Sequence, residues 1–222
     1  MGTQFIQSTV LFFAELSANN TKEWFETNKS RYETSVLKPA KTFVTTLGDH
    51  LQKHSPNIRA LPKINQSLFK IHRDTRFSPD KTPYKTNFGM MFWEGDRKRL
   101  ENPGLYIHLA PEECFIATGL HAFSKDVLVR YQNVVSDEKK ALELDLILNA
   151  LSDVTELRSD EYKQVPRGFD KLHPFAHLLK KKGIHTYHPF SPEHISSDEL
   201  IDLAIQQFLQ SYKLHQWFLT NV

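Results

Sequence analysis

The chain has 222 residues, 40% hydrophobic and 24% charged, with 28 Lys and Arg against 26 Asp and Glu for a formal charge of +2. That composition excludes disordered and fibrous classes, and the near-balanced charge excludes a surface that attracts anions everywhere, so any such attraction must be local. The single cysteine, Cys114, excludes an internal disulfide, a thiolate zinc centre and a CxxC redox pair.

The longest apolar stretches, such as residues 10–14 and 89–93, fall far below the roughly 18 residues of a membrane span. Residues 1–14 lack the basic start and small-residue cleavage site of a signal peptide, so the expectation is a soluble cytoplasmic protein.

The first third reads as helical. Asn20 and Glu23 have capping-box spacing, and Trp24, Asn28, Tyr32 and Val36 then recur at helical intervals as far as Pro39. Pro39 can open the next helix, where its missing N–H is not needed, and Phe43, Val44, Leu47 and Leu51 form the buried stripe of that helix.

The middle changes period. Residues 67–73 alternate Phe69 and Ile71 with Leu68, Lys70 and His72, which predicts a strand. Residues 88–93, 105–110 and 114–118 are further short runs rich in aromatic or β-branched residues. Pro111-Glu112-Glu113 is short enough to close a hairpin between the last two, and residues 94–104 read as a longer polar loop. Helices return after Phe123. Ser124 caps one with Val127, Leu128, Tyr131 and Val135 inward; Ser136 or Asp137 opens another with Leu144, Ile147, Leu148 and Leu151 inward. A short helix over 174–181, a strand over 184–190 and a long terminal helix begun by the Ser196/Glu199 capping box complete the chain. No linker or repeat divides it. The expectation is one α+β domain, residues 1–222, with an antiparallel meander flanked by N-terminal and C-terminal helices.

GxGxxG, GxxxxGK, HExxH and GxSxG are all absent, which sets aside the familiar nucleotide, zinc-protease and serine-hydrolase signatures. The informative stretch is residues 67–87. It holds Lys70, Arg73, Arg76, Lys81 and Lys85 against Asp74 and Asp80, a local +3 that leaves −1 for the rest of the chain. Pro79 and Pro83 stiffen the segment, arginine offers a planar fork, lysine a point charge, and Tyr84 a hydroxyl. This chemistry suits a phosphate-bearing ligand held by Arg73, Arg76, Lys81, Tyr84, Lys85 and Lys70. Three alternatives stand beside it: an enzyme of phosphoester or carboxylate chemistry using Asp74 or Asp80, a nucleic-acid-binding module, and a purely structural ion-pair network. The enzyme reading is weakened because neighbouring arginines depress aspartate pKa values.

The run Arg-Asp-x-Arg-Phe-Ser-x-Asp-Lys-x-Pro-Tyr-Lys over residues 73–85 resembles the signature of the domain-of-unknown-function family 2461. The resemblance extends to Asn19-Asn20, Lys22, Trp24-Phe25, Asn28-Lys29, Tyr32 and Pro39, and to Pro166, Gly168-Phe169-Asp170, His173-Pro174 and Leu178-Leu179-Lys180. Two positions depart from the pattern: Lys70 stands in place of arginine and His72 in place of an aromatic. Lys70 keeps the charge without the fork. The resemblance implies a compact α+β domain with no known cofactor and supplies no reaction.

Two further groups merit attention. His173 and His177, four apart on the expected short helix, share a face, yet no acid or cysteine at ligand spacing accompanies them. Phe92-Trp93 beside Arg97-Lys98-Arg99 interleaves aromatics with bases, as a single-stranded nucleic-acid surface does; a solvated hairpin tip is the better account of Arg97 to Arg99. A nucleic-acid reading requires the 70–85 segment and Arg97 to Arg99 on one continuous face.

Overall fold

A computed structural model describes residues 4–222; the first three residues of the 1–14 stretch weighed as a leader lie outside that range. Helix α1 (Gln4–Ala18) buries Phe5, Ile6, Thr9, Phe12, Phe13 and Leu16, positions three and four apart that form one face. Helix α2 (Lys22–Arg31) is capped by Thr21 and not by Asn20: the Thr21 hydroxyl accepts from the Trp24 amide at 3.2 Å. The Asn20 side chain is committed instead to the backbone of Tyr84. A π-helical turn (Tyr32–Leu37) then leads without a break into α3 (Lys38–Leu51), whose first turn contains Pro39. The Lys38 amide donates to Glu33, five residues back, and the predicted stripe of Phe43, Val44, Leu47 and Leu51 is buried.

The sheet has five strands, β1 (Phe88–Trp93), β2 (Gly104–Leu109), β3 (Cys114–Leu120), β4 (Glu156–Arg158) and β5 (Ile184–Pro189), in the order β1-β2-β3-β5-β4. It is antiparallel and flanked by helices, as expected. The hairpin predicted at Pro111-Glu112-Glu113 closes with the Ala110 amide donating to Glu113 at 3.1 Å. Residues 67–73 do not form the predicted strand. They touch the β1 backbone through one bridge, Leu68 to Met90, before His72 bridges Tyr84. The segment turns back on itself, so its alternation is spent on closing a loop instead of extending the sheet. β4 was not foreseen: three residues, with Glu156 and Arg158 exposed, carry no legible period.

Helices α4 (Lys125–Val135) and α5 (Glu138–Ser152) are capped by Ser124 and Asp137. The short helix predicted over 174–181 spans only α6 (Ala176–Leu179). The terminal helix is two helices, α7 (Ser197–Gln210) and α8 (Tyr212–Asn221), interrupted at Ser211. The buried Ser211 hydroxyl bonds the Gln207 and Phe208 carbonyls, the competition with helical bonding that makes serine a poor interior residue. The Ser196/Glu199 capping box is present in both directions, at 2.7 and 3.2 Å.

The chain packs as two compact units interleaved in sequence, one formed by residues up to 92, 106–116 and 189–205, the other by 93–105, 117–188 and 206–222. In the first, Phe12 meets Tyr32 with ring centroids 5.4 Å apart and Phe13 meets Phe88 at 6.3 Å. In the second, α4, α5 and α8 converge on a core containing Leu120, Tyr131, Leu144, Ile184, Trp217 and Phe218. The buried Tyr131 hydroxyl there donates to the Leu178 carbonyl at 3.0 Å.

Candidate anion site in the 70 to 85 loop

The loop belongs wholly to the first unit and is closed at its base by backbone hydrogen bonds. The Arg73 amide donates to the Pro83 carbonyl at 2.9 Å and the Lys85 amide to the Ile71 carbonyl at 2.8 Å. Tyr84 anchors this base. Its ring is buried, with Phe25 at 4.4 Å and His72 at 5.2 Å between centroids, and the Asn20 side chain bonds both its amide and its carbonyl. Burial, with the nearby carboxylates of Glu26 and Glu23, pushes the Tyr84 phenol above its ordinary value. The Tyr84 ring is therefore packed against Phe25 of α2, where it positions the loop.

The two arginines take different roles. The Arg73 guanidinium turns back across the loop to the Asp80 carboxylate and the Thr82 hydroxyl, with Ser78 at 3.5 Å. Asp80 also accepts the Thr82 amide at 2.9 Å. Hydrogen bonding from Arg73, reinforced by Thr82, holds the Asp80 carboxyl down at about 2. Arg76 instead forks onto Asp74, Nε to Oδ1 at 2.9 Å and one terminal nitrogen to Oδ2 at 2.7 Å, with 76% of its side chain still exposed. That contact likewise lowers the Asp74 carboxyl. Both acids are thus ionised at neutral pH and occupied with arginines.

Lys81 Nζ donates to the Thr75 carbonyl at 2.8 Å, bracing the tip of the loop. Lys85 Nζ lies 5.4 Å from the centre of the Phe69 ring, and Lys70 is exposed, close enough to Asp74 to favour its ionised form. The structure thereby gathers Lys70, Arg73, Arg76, Lys81 and Lys85 on one loop and separates Tyr84 from them as an anchor. Two residues escaped sequence reasoning. Asn20 has the spacing of a helix cap yet clamps the Tyr84 backbone, and Phe77, next to Arg76, is 91% exposed at the loop tip. The run Arg-Phe-Ser held the only hint of the latter, a large apolar residue between polar ones. Beside the anchor, an open cleft of about 540 Å³ is lined by the turn between α1 and α2 and the start of α2, including Asn19, Asn20, Trp24 and Asn28.

The secondary candidates separate. His173 lies outside α6 and accepts the Phe175 amide at 3.1 Å, while His177 bonds Asp145 at 2.8 Å. Among the described residues no group of three or more His, Cys, Asp or Glu is arranged to hold a metal ion. Phe92 and Trp93 are core residues, 0% and 3% exposed, so they offer no stacking face. Arg97 folds inward onto the Val222 carbonyl, where burial lowers its pKa. No helix among the described residues is long and apolar enough to cross a membrane.

The family described as conserved hypothetical protein (DUF2461) matches residues 8–217. No curated protein and no solved structure matches the chain.

Proposed function

The chain belongs to the conserved hypothetical protein family DUF2461, whose description assigns no activity, and from the chemistry of its central loop we propose that it binds a phosphate-bearing anion through Arg76, Lys81, Lys70 and Lys85. One observation carries this reading: the loop's two acids each engage one arginine, while Lys70 and Lys81 stay exposed near Arg76 on a backbone already closed at its base. Arg73 and Tyr84 build the loop, and Arg76 presents the fork. An exposed Arg–Asp pair is weak and screened by solvent and salt, so a multiply charged phosphate that accepts both guanidinium hydrogen bonds can displace Asp74. Asp74 and Asp80, held below the usual carboxylate range, serve as partners for arginine and are poorly matched to proton transfer near pH 7.

The test is a thermal-shift series with inorganic phosphate, tripolyphosphate and nucleotides at low and moderate salt, on the wild type and Arg76→Ala. A ligand at a hundred times its Kd adds about 2.7 kcal/mol, roughly 5 °C or more for a protein of this size. The expected result is a rise in the wild type that shrinks with salt and disappears in Arg76→Ala. No rise with any of these anions refutes the reading and leaves the loop as an internal ion-pair network.

A further inference from the structure

The loop tip combines an exposed aromatic ring with cations in a way that simple phosphate binding leaves unexplained. Phe77 lies in the turn closed by the Ser78 amide and Thr75 carbonyl at 3.4 Å, and Lys81 braces the same carbonyl. Its ring is 91% exposed, and the Arg76 guanidinium carbon stands 5.7 Å from the ring centre. A phenylalanine this exposed does nothing for the core, and its placement beside Arg76 costs solvation that a partner can recover.

We propose that this tip binds single-stranded nucleic acid, with a base stacked on Phe77 and the adjoining phosphates held by Arg76, Lys81 and Lys70. The proposal rests on the anion-binding reading of the same loop and names the class of its ligand; with Arg97 turned onto the Val222 carbonyl, it confines the interface to the loop and dispenses with the contribution expected from Arg97 to Arg99. A protruding ring flanked by dispersed cations matches a polymer in which flat bases alternate with phosphates, since every base presents a π-face and the backbone supplies regularly spaced charge. A lipid surface is the poorer match. The ionised carboxylates of Asp74 and Asp80, together with Ser78 and Thr75, crowd the same tip and would have to enter the membrane with the ring.

Anisotropy of a labelled ten-nucleotide oligothymidylate, the same length of abasic oligonucleotide, and thermal shift with tripolyphosphate separate this proposal from the one it rests on. Because Phe77 is nearly fully exposed, Phe77→Ala keeps the fold. It is expected to weaken oligothymidylate binding by about 5- to 100-fold while leaving the tripolyphosphate shift unchanged, and Phe77→Trp is expected to restore binding. The abasic strand should bind the wild type as weakly as oligothymidylate binds Phe77→Ala. Equal oligothymidylate affinity in wild type and Phe77→Ala, equal affinity for the abasic strand, or binding to phosphatidylserine vesicles without oligonucleotide binding overturns the nucleic-acid proposal. In those cases a tripolyphosphate shift that depends on Arg76 leaves the anion site standing. Absence of both oligonucleotide binding and the tripolyphosphate shift ends both.

Discussion

The Asn20 side chain closes on Tyr84 from both sides of its backbone, donating to the carbonyl at 2.9 Å and accepting from the amide at 3.1 Å, across 64 positions of sequence. An amide side chain alone supplies a donor and an acceptor in this geometry, and aspartate would set a carboxylate against the Tyr84 carbonyl. Asn20→Ala is therefore expected to cost about 1 to 3 kcal/mol in urea unfolding, since it removes two partly buried bonds, and Asn20→Asp at least as much. Retained stability in both variants would show that the loop base is held without Asn20, by its backbone hydrogen bonds and the Phe25 and Tyr84 rings.

Arg73 and Arg76 are separated by three positions and are expected to fail differently. Arg73→Ala leaves the Asp80 carboxylate and Thr82 without their shared donor, so the loop loses order and anion binding falls with it. Arg76→Ala removes one exposed pair, so its stability stays close to that of the wild type while the phosphate-induced shift is lost. Backbone amide exchange over residues 71–85 distinguishes the two: protection should drop in Arg73→Ala and persist in Arg76→Ala. The reverse pattern would exchange the roles assigned here.

The contrast between these two arginines also marks the limit of what the sequence reveals. The local excess of charge, the buried stripe of α3, three of the strands near β1 to β3, and the caps at Ser124 and Ser196 follow from periodicity and side-chain chemistry, which are local. Which arginine folds inward depends on the turn that brings Asp80 under Arg73, and the capping role of Thr21 depends on a tyrosine far along the chain. Residues 67–73 alternate as a strand does, yet the His72 to Tyr84 bridge takes them out of the sheet. Ser211 breaks the terminal helix because its hydroxyl is buried beside Thr118 and the Gln207 carbonyl, a tertiary placement no helical pattern records.

Two histidines, the half-buried His185 and the buried His215, contribute to the pH response of stability. Burial, with His121 and Arg158 adding to it, lowers the His185 ring from 6.5 to about 4. Burial also lowers His215, against the opposing effect of the Glu94 carboxylate bonded to its Nε2 at 2.8 Å. Both rings bind a proton more readily in the unfolded chain, so the unfolded state gains protons as the pH falls below 6.5. Their stabilising contribution is complete above that value and is lost on acidification, for His185 through the window from about 6.5 to 4. Urea midpoints should fall across this range, and His185→Gln, which cannot take up a proton, should show a shallower fall. Parallel curves for the two proteins would mean that His185 does not carry the effect.

Gly119 holds β3 against β5. Its φ of +125° is disfavoured for residues with a Cβ, and an added Cβ would stand 2.4 Å from the Ile184 carbonyl oxygen and 3.0 Å from the His185 Cα. Neither neighbour is a flexible side chain, so Gly119→Ala must displace backbone and is expected to cost about 3 kcal/mol or more. Gly168, at φ +95° with open space around it, is the control: Gly168→Ala meets only the backbone penalty, about 1 to 2 kcal/mol. Equal costs at the two positions would mean that strain at φ, and not the close approach of the strands, governs Gly119.

Asp74 gives the sharpest division between a binding loop and an internal network. In the structure its carboxylate is bound by the Arg76 fork, so it competes with any anion that approaches that guanidinium. Asp74→Asn removes one negative charge from the loop, raising its formal excess from +3 to about +4, and leaves Arg76 with a weaker neutral acceptor. If the loop binds phosphate, this variant binds it more tightly, by roughly 3- to 10-fold at low salt, with the gain shrinking as salt screens the exposed charges. If the pair exists to hold the loop together, the same substitution yields no tighter binding and loosens residues 73–82 instead. Titration calorimetry with tripolyphosphate at two salt concentrations, alongside amide exchange of the loop, reads both consequences in one variant.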